Sequence, residues 1–153
     1  MQPTLVVKPT FTVVGIRIHT SPMSQDIPNL WQRFGPRIDE VQYVAEPHVS
    51  YGLMDNFDLA NGVLDYMAGV AVAQVIDLPA GMTYWDVPAN TYAVWETTLP
   101  SIPQTFDYIY TTWLPTSGYQ QVVGPYFERY GETFDPADPT SPVAIYIPVK
   151  QQP

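Results

Sequence analysis

Cysteine is absent from this chain of 153 residues, and histidine occurs only twice, at His19 and His48. Without cysteine there are no disulfide bonds, no thiolate metal ligands and no thiol nucleophile. The two histidines stand too far apart to match the ligand spacing of a zinc site. We therefore expect neither a metal nor another cofactor.

Basic residues are also scarce, with six Lys and Arg against fifteen Asp and Glu, for a net charge of -9. Proteins that bind nucleic acids neutralise phosphates with clustered Lys and Arg side chains. The few basic residues here are scattered along the chain, so we expect no direct contact with nucleic acid. A negative field of this kind attracts cations.

Long hydrophobic runs are missing as well. The longest apolar stretch, around Val63 to Ile76, is interrupted by Asp65, Gly69 and Gln74. Such a stretch cannot cross a membrane, and no basic-then-apolar signal segment opens the sequence. With 46% hydrophobic residues, the composition predicts a soluble, cytoplasmic protein that forms a single domain over residues 1–153.

Seventeen prolines and nine glycines divide the chain into short segments. Ser24 is placed to cap a helix, and Gly35-Pro36 to break it before a second short helix. Ser101 is placed to cap a helix in the second half, which Pro115 and Gly118 close. Residue patterns predict strands at Thr12–Thr20, Val49–Phe57, Val63–Ile76, Thr83–Thr98 with an interruption at Pro88-Ala89-Asn90, Tyr119–Tyr130 and Val143–Val149.

The two halves of the chain, about residues 1–78 and 79–153, show the same order of predicted elements. A shift of 75 residues places Ile27 on Ile102 and Tyr51 on Tyr126. We predict an α+β fold in which two β-α-β-β units, related by a pseudo-twofold axis, enclose a central ligand cleft. Chance similarity between two short α+β stretches is the alternative.

The most informative segment is Tyr126–Tyr130, in which Glu128 lies between two tyrosines. Alternate residues of a strand share a face, so Tyr126, Glu128 and Tyr130 would face the cleft together. A carboxylate among aromatic rings suits a cationic ligand. We also expect Tyr146, which alternates with isoleucines, to stand beside Glu128. The alternative is an exposed edge strand with a solvated glutamate.

Trp113–Tyr119, followed by Gly124–Tyr130, resembles the signature W-L-P-x-S-G-Y and P-x-F-E-x-Y of the GyrI-like family. This family includes the effector-binding domains of AraC-type and MerR-type multidrug regulators. The resemblance covers nearly the whole chain. It implies a tandem repeat of β-α-β-β units around a pocket, where a glutamate, here Glu128, and several aromatic rings receive hydrophobic, often cationic, molecules. Because the resemblance takes up the sequence, we expect no DNA-reading module in it.

The resemblance also suggests further wall residues on the basis of aromatic character and predicted position. With those of the strand segment, the expected ligand-binding residues are Glu128, Tyr126, Tyr130, Tyr146, Trp31, Tyr51, Trp85, Tyr92, Tyr110 and Trp113. We expect a protein that binds small amphipathic, cationic aromatic molecules and is not an enzyme.

Two alternatives remain open at this point. Some family members resemble hydrolases that use the corresponding glutamate on reactive small molecules, with Glu128 as general base. Others resemble gyrase inhibitors, which would imply an unidentified protein partner.

Overall fold

A computed structural model describes all 153 residues of the chain. It contains nine strands and three short α-helices, and no helix combines the length and apolarity that crossing a membrane requires. The strands are β1 (Thr4–Lys8), β2 (Phe11–Thr20), β3 (Ser50–Asp58), β4 (Val63–Val72), β5 (Thr83–Val87), β6 (Asn90–Thr98), β7 (Tyr119–Gln121), β8 (Tyr126–Tyr130) and β9 (Pro142–Gln151). The helices are α1 (Asp26–Phe34), α2 (Ile102–Tyr108) and α3 (Leu114–Thr116).

Short irregular helical turns extend these helices. A 3-10 turn at Gly35–Glu40 follows α1, because Pro36 has no amide hydrogen with which to continue the helix. Another 3-10 turn, at Leu99–Ser101, leads into α2, and a π-helical turn at Ile109–Trp113 joins α2 to α3. The predicted Ser24 cap is present, because Ser24 Oγ accepts a hydrogen bond of 3.0 Å from the amide of Asp26, the first residue of α1. The predicted Ser101 cap is absent, since no side chain caps the start of α2.

All strand pairs are antiparallel, in the order β1-β6-β9-β8-β3-β4-β2-β5, with β7 paired to β9 outside this path. The order has a symmetry: if β1, β2, β3 and β4 are exchanged for β5, β6, β8 and β9, respectively, the same order is read in reverse. The pair of β3 and β8 lies at the centre of this order. The α+β class is confirmed. The pseudo-twofold repeat agrees with this order and stays a prediction.

The turns between β1 and β2 and between β5 and β6 meet, because the amide of Ala89 donates a hydrogen bond of 3.2 Å to Thr10 Oγ1. Since β1 and β5 are the two ends of the strand order, this contact shows that the sheet curls. One face of the curled sheet carries a buried core that includes Val13, Leu53 and Phe127. The other face carries the helices.

Two further core clusters lie on the helical face. Leu30 and Phe34 attach α1 to strands β2, β3 and β4, and both side chains are completely buried. The π-helical turn that follows α2 packs on β6 and β9 through Ile109 and Trp113. Tyr126 packs against both clusters, which places β8 beneath the junction of the two helical layers.

Three strand predictions need correction. Thr83–Thr98 is two strands, because Pro88 and Ala89 form a turn that sends β5 to pair with β2 and β6 to pair with β9. Tyr119–Tyr130 is likewise divided into β7 and β8. The edge strand β1 was not predicted. Its residues pair with β6 residues 82 to 90 positions away in the sequence, and local residue pattern does not encode such a pairing.

Candidate functional site

Glu128 lies at the centre of the sheet, on the face that carries the helices. Its strand, β8, pairs with β3 on one side and with β9 on the other, so Glu128 is opposite Gly52 and Ile145. The residue is only 8% exposed. The alternative of an exposed edge strand with a solvated glutamate is therefore wrong.

Two tyrosine hydroxyls hold one oxygen of this carboxyl group. Tyr130 Oη donates a hydrogen bond of 2.8 Å to Glu128 Oε1, and Tyr66 Oη donates one of 3.1 Å to the same oxygen. Trp31 Nε1 in turn donates to Tyr66 Oη at 2.9 Å. This chain of hydrogen bonds links α1, β4 and β8.

The second oxygen, Oε2, accepts no hydrogen bond from the protein and is not fully enclosed. None of the ion pairs of the chain includes Glu128. Burial raises the pKa of Glu128, against the opposing effect of the hydrogen bonds from Tyr130 and Tyr66. The site thus combines a buried acid with a free acceptor oxygen and no basic neighbour to neutralise it.

Gly52 creates the space in which these polar atoms meet. A Cβ atom at this position would lie 2.3 Å from Tyr66 Oη and 2.8 Å from Glu128 Oε1, both well inside contact distance. Only glycine leaves room here for a tyrosine hydroxyl and a carboxyl group over the same point of the sheet.

Aromatic rings border the carboxyl group on both sides. Trp31 of α1 packs edge-on against Tyr130, with ring centroids 5.3 Å apart. On the α2 side, Tyr126 packs edge-on against Phe106 at 6.3 Å. Phe106 lies parallel to Tyr110 at 6.4 Å. Aromatic edges and faces of this kind suit flat or cationic molecules.

Four of the ten residues predicted to line the site are thus brought together: Glu128, Tyr126, Tyr130 and Trp31. Tyr110 is connected to them only through Phe106, which contacts Tyr126. Tyr146 is not beside Glu128, because β9 places Ile145 opposite Glu128 and Tyr146 opposite Phe127, on the other face of the sheet. Its ring stacks on that of Phe127 at 4.6 Å.

Four more predicted residues also lie away from the carboxyl group. Three of them, Tyr51, Trp85 and Tyr92, belong to the core on the face of the sheet opposite the helices. Alternation along their strands directs these side chains to the face that Glu128 does not occupy. Trp113 is on the helical face, where it is buried against Trp95 and Tyr119.

Tyr66 and Phe106 were not predicted as part of the site. Phe106 could have been found, because the helical spacing of Ile102, Phe106 and Ile109 marks the buried side of that segment. Tyr66 could not, because its approach to Glu128 depends on the pairing of β3 with both β4 and β8.

Two surface depressions flank the structure without including Glu128. One, of about 230 Å³, is a groove between β7 and the segment formed by the π-helical turn and α3. The other, of about 500 Å³, lies between α1 and the end of β2. Trp31, Tyr66 and Tyr130 pack around the Oε1 side of Glu128, and Oε2 is left without a partner and not fully enclosed.

Comparison with known proteins agrees with this architecture. A family model described as Cass2, integron-associated effector binding protein, matches residues 4–149. The transcriptional regulator BrlR of Pseudomonas aeruginosa is 38% identical over 152 residues, which are 97% of this chain and 56% of the regulator. The chain thus spans about half the length of that relative.

Solved structures share the fold at lower identity. SAV2435 bound to tetraphenylphosphonium has a TM-score of 0.78 and 22% identity, over 98% of this chain and 94% of that one. The integron cassette protein VCH_CASS2, from the mobile metagenome of Vibrio cholerae, has a TM-score of 0.70 and 17% identity, over 98% and 97%. The extent of the family match confirms the resemblance seen in the Trp113–Tyr130 motifs, and the chain belongs to the Cass2 family of integron-associated effector binding proteins.

Proposed function

We propose that this protein binds amphipathic organic cations with aromatic groups, and that Glu128 is the counter-ion. The observation that carries the proposal is the buried Glu128 carboxyl group, which has one oxygen held by two tyrosines and the other without a partner. Transfer of a carboxylate from water into the protein without a cation costs roughly several kcal/mol of free energy. A positively charged ligand would offset that penalty.

The surroundings favour a bulky, delocalised cation over a metal ion. The carboxyl group has no second carboxylate beside it, and the structure contains no cluster of three potential metal-ligating side chains. The neighbouring rings of Trp31, Tyr126 and Tyr130 offer cation–π and edge contacts instead. A large organic cation is also less strongly hydrated than a small ion, so it is more easily transferred into such a site.

The comparisons support this class of ligand. The structure of SAV2435, which shares the fold, was solved with tetraphenylphosphonium, a cation that carries four phenyl rings. The family to which the chain belongs is described by effector binding. Together with the unpaired carboxyl group, these relations favour ligand binding over a catalytic role for Glu128.

The test compares two ions of nearly the same shape and opposite charge, tetraphenylphosphonium and tetraphenylborate, by isothermal titration calorimetry. We expect the parent protein to bind the phosphonium and to discriminate strongly against the borate. Glu128→Gln keeps the shape of the side chain and removes its charge. It should weaken phosphonium binding by at least ten-fold, which is about 1.4 kcal/mol.

Glu96→Gln is the matched control, since Glu96 is an exposed strand glutamate outside the site. This variant should bind the phosphonium as the parent protein does. If Glu128→Gln retains the parent affinity, or if the parent prefers the borate, the counter-ion role is wrong. Recovery of the phosphonium unchanged after prolonged incubation would separate binding from turnover.

A further inference from the structure

We propose that the groove between β7 and the segment formed by the π-helical turn and α3 is a second part of the same binding site, which receives an uncharged extension of the cationic ligand. This inference rests on the proposed function, because the charged end of that ligand would bind at Glu128. The groove has a volume of about 230 Å³ and is lined by Tyr110, Leu114, Pro115, Tyr119, Gln121 and two further glutamines.

A continuous row of aromatic side chains connects the groove to Glu128. Tyr126 lies two residues before Glu128 on the same face of β8, and its ring contacts Phe106. Phe106 lies parallel to Tyr110, with 9° between the ring planes. Tyr110 is itself one wall of the groove. In this proposal the extension of the ligand lies along this row of rings, from Glu128 toward the groove.

The chemistry of the groove indicates what it accepts. None of the seven lining residues is charged, although the chain as a whole carries many acidic residues. Leu114, Pro115 and the two tyrosine rings form an apolar floor, and glutamine amides provide the polar groups. An alkyl or aryl group fits this lining, whereas a second positive charge would find no carboxylate there.

The size of the groove agrees with such a group. A cavity of about 150 Å³ is sufficient to bind benzene, so a groove of about 230 Å³ can hold a six-carbon chain or a substituted ring. The π-helical turn at Ile109–Trp113 contributes Tyr110 to the wall. Turns of this type are rare and often occur at functional sites.

The experiment compares methyltriphenylphosphonium with hexyltriphenylphosphonium, which carry the same charge and differ in the length of one alkyl chain. We expect the parent protein to bind the hexyl compound at least about ten-fold more tightly, because the added methylene groups are removed from water. Gln121→Trp should fill the groove and reduce this ratio to less than about three-fold. Leu114→Ser, which removes an apolar wall, should also reduce the ratio.

Gln42→Trp introduces the same bulk at an exposed position outside the groove, and its ratio should equal that of the parent protein. Binding of the methyl compound and thermal unfolding show that each variant is folded. If both groove variants keep the parent ratio while Glu128→Gln weakens both phosphonium compounds, the groove inference is wrong and the counter-ion proposal stands. If neither compound binds the parent protein, both proposals are overturned.

Discussion

Glu128 and Gly52 show how a single pair of residues sets up the candidate site. Glu128 is buried without a basic neighbour, and Gly52, opposite to it in β3, leaves the space that the carboxyl group and the Tyr66 hydroxyl occupy. The two positions depend on each other, since a larger residue at either one would compete for the same volume. The glycine is therefore as characteristic of the site as the acid.

Gly52→Ala is expected to destabilise the fold and to weaken cation binding together. The added methyl group would overlap with Tyr66 Oη and Glu128 Oε1, and overpacking of a buried site typically reduces the free energy of unfolding by about 1–3 kcal/mol. Urea denaturation and phosphonium titration measure the two effects.

Gly35→Ala is the control for this substitution, because nothing lies within 4 Å of a Cβ atom at Gly35. It should leave cation binding unchanged and the free energy of unfolding equal or slightly higher. Equal stability of the Gly52→Ala and Gly35→Ala variants would show that the space over Gly52 is not needed.

At the scale of single elements, alternation within one strand was predictable and pairing between strands was not. The period of two in β8 correctly placed Tyr126, Glu128 and Tyr130 on one face. The same rule failed for Tyr146, because the face that β9 presents beside Glu128 depends on its register with β8. A register shift of one residue would reverse that face, and no local feature of β9 determines it.

Besides its apolar packing on the sheet, helix α1 is joined to strand β4 by a side-chain hydrogen bond, from Trp31 Nε1 to Tyr66 Oη. Trp31→Phe and Tyr66→Phe each remove this bond and keep an aromatic ring. Trp31→Phe should lower the free energy of unfolding by about 1 kcal/mol. Tyr66→Phe should lower it by more, because it also removes the hydrogen bond that Tyr66 Oη donates to Glu128 Oε1. In the double variant the losses should not add, with a coupling of about 1 kcal/mol between the two positions. Denaturation of the four proteins measures this coupling.

Trp31→Phe combined with Tyr84→Phe provides the comparison, because Tyr84 lies half-exposed on the edge strand β5. That pair should show additive effects. Additivity in the Trp31 and Tyr66 pair as well would mean that the hydrogen bond does not join α1 to the sheet.

At the scale of the whole molecule, the two halves contribute different parts of one site. The first half supplies Trp31, Tyr66 and Gly52, and the second supplies Glu128 and its flanking tyrosines. Because β3 and β8 pair at the centre of the sheet, the site forms only when the halves are joined. The repeat in the sequence predicted that the two halves meet at the centre. It did not predict that each half contributes different residues to the site, because these side chains are not repeated between the halves.

The protonation of Glu128 links stability to ligand binding across the molecule. Burial raises the pKa of Glu128 above its ordinary value of 4.5, so the folded protein keeps a proton there at pH values where the unfolded chain has lost it. The stabilising contribution is complete below that ordinary value and is lost as the pH rises through the raised pKa. A cation prefers the ionised form, so its affinity should rise over the same range by up to about ten-fold per pH unit.

We therefore expect the Glu128 contribution to stability to fall and the affinity for tetraphenylphosphonium to rise with pH, because Glu128 loses its proton. Parallel measurements on Glu128→Gln isolate that group, since the two proteins differ at this position alone. The difference in stability between parent and variant should shift in favour of the variant as pH increases, while the affinity of the variant stays flat. Calorimetry in two buffers of different ionisation enthalpy should detect proton release on binding to the parent protein alone. Release of the same number of protons by both proteins would assign the linkage to a group other than Glu128.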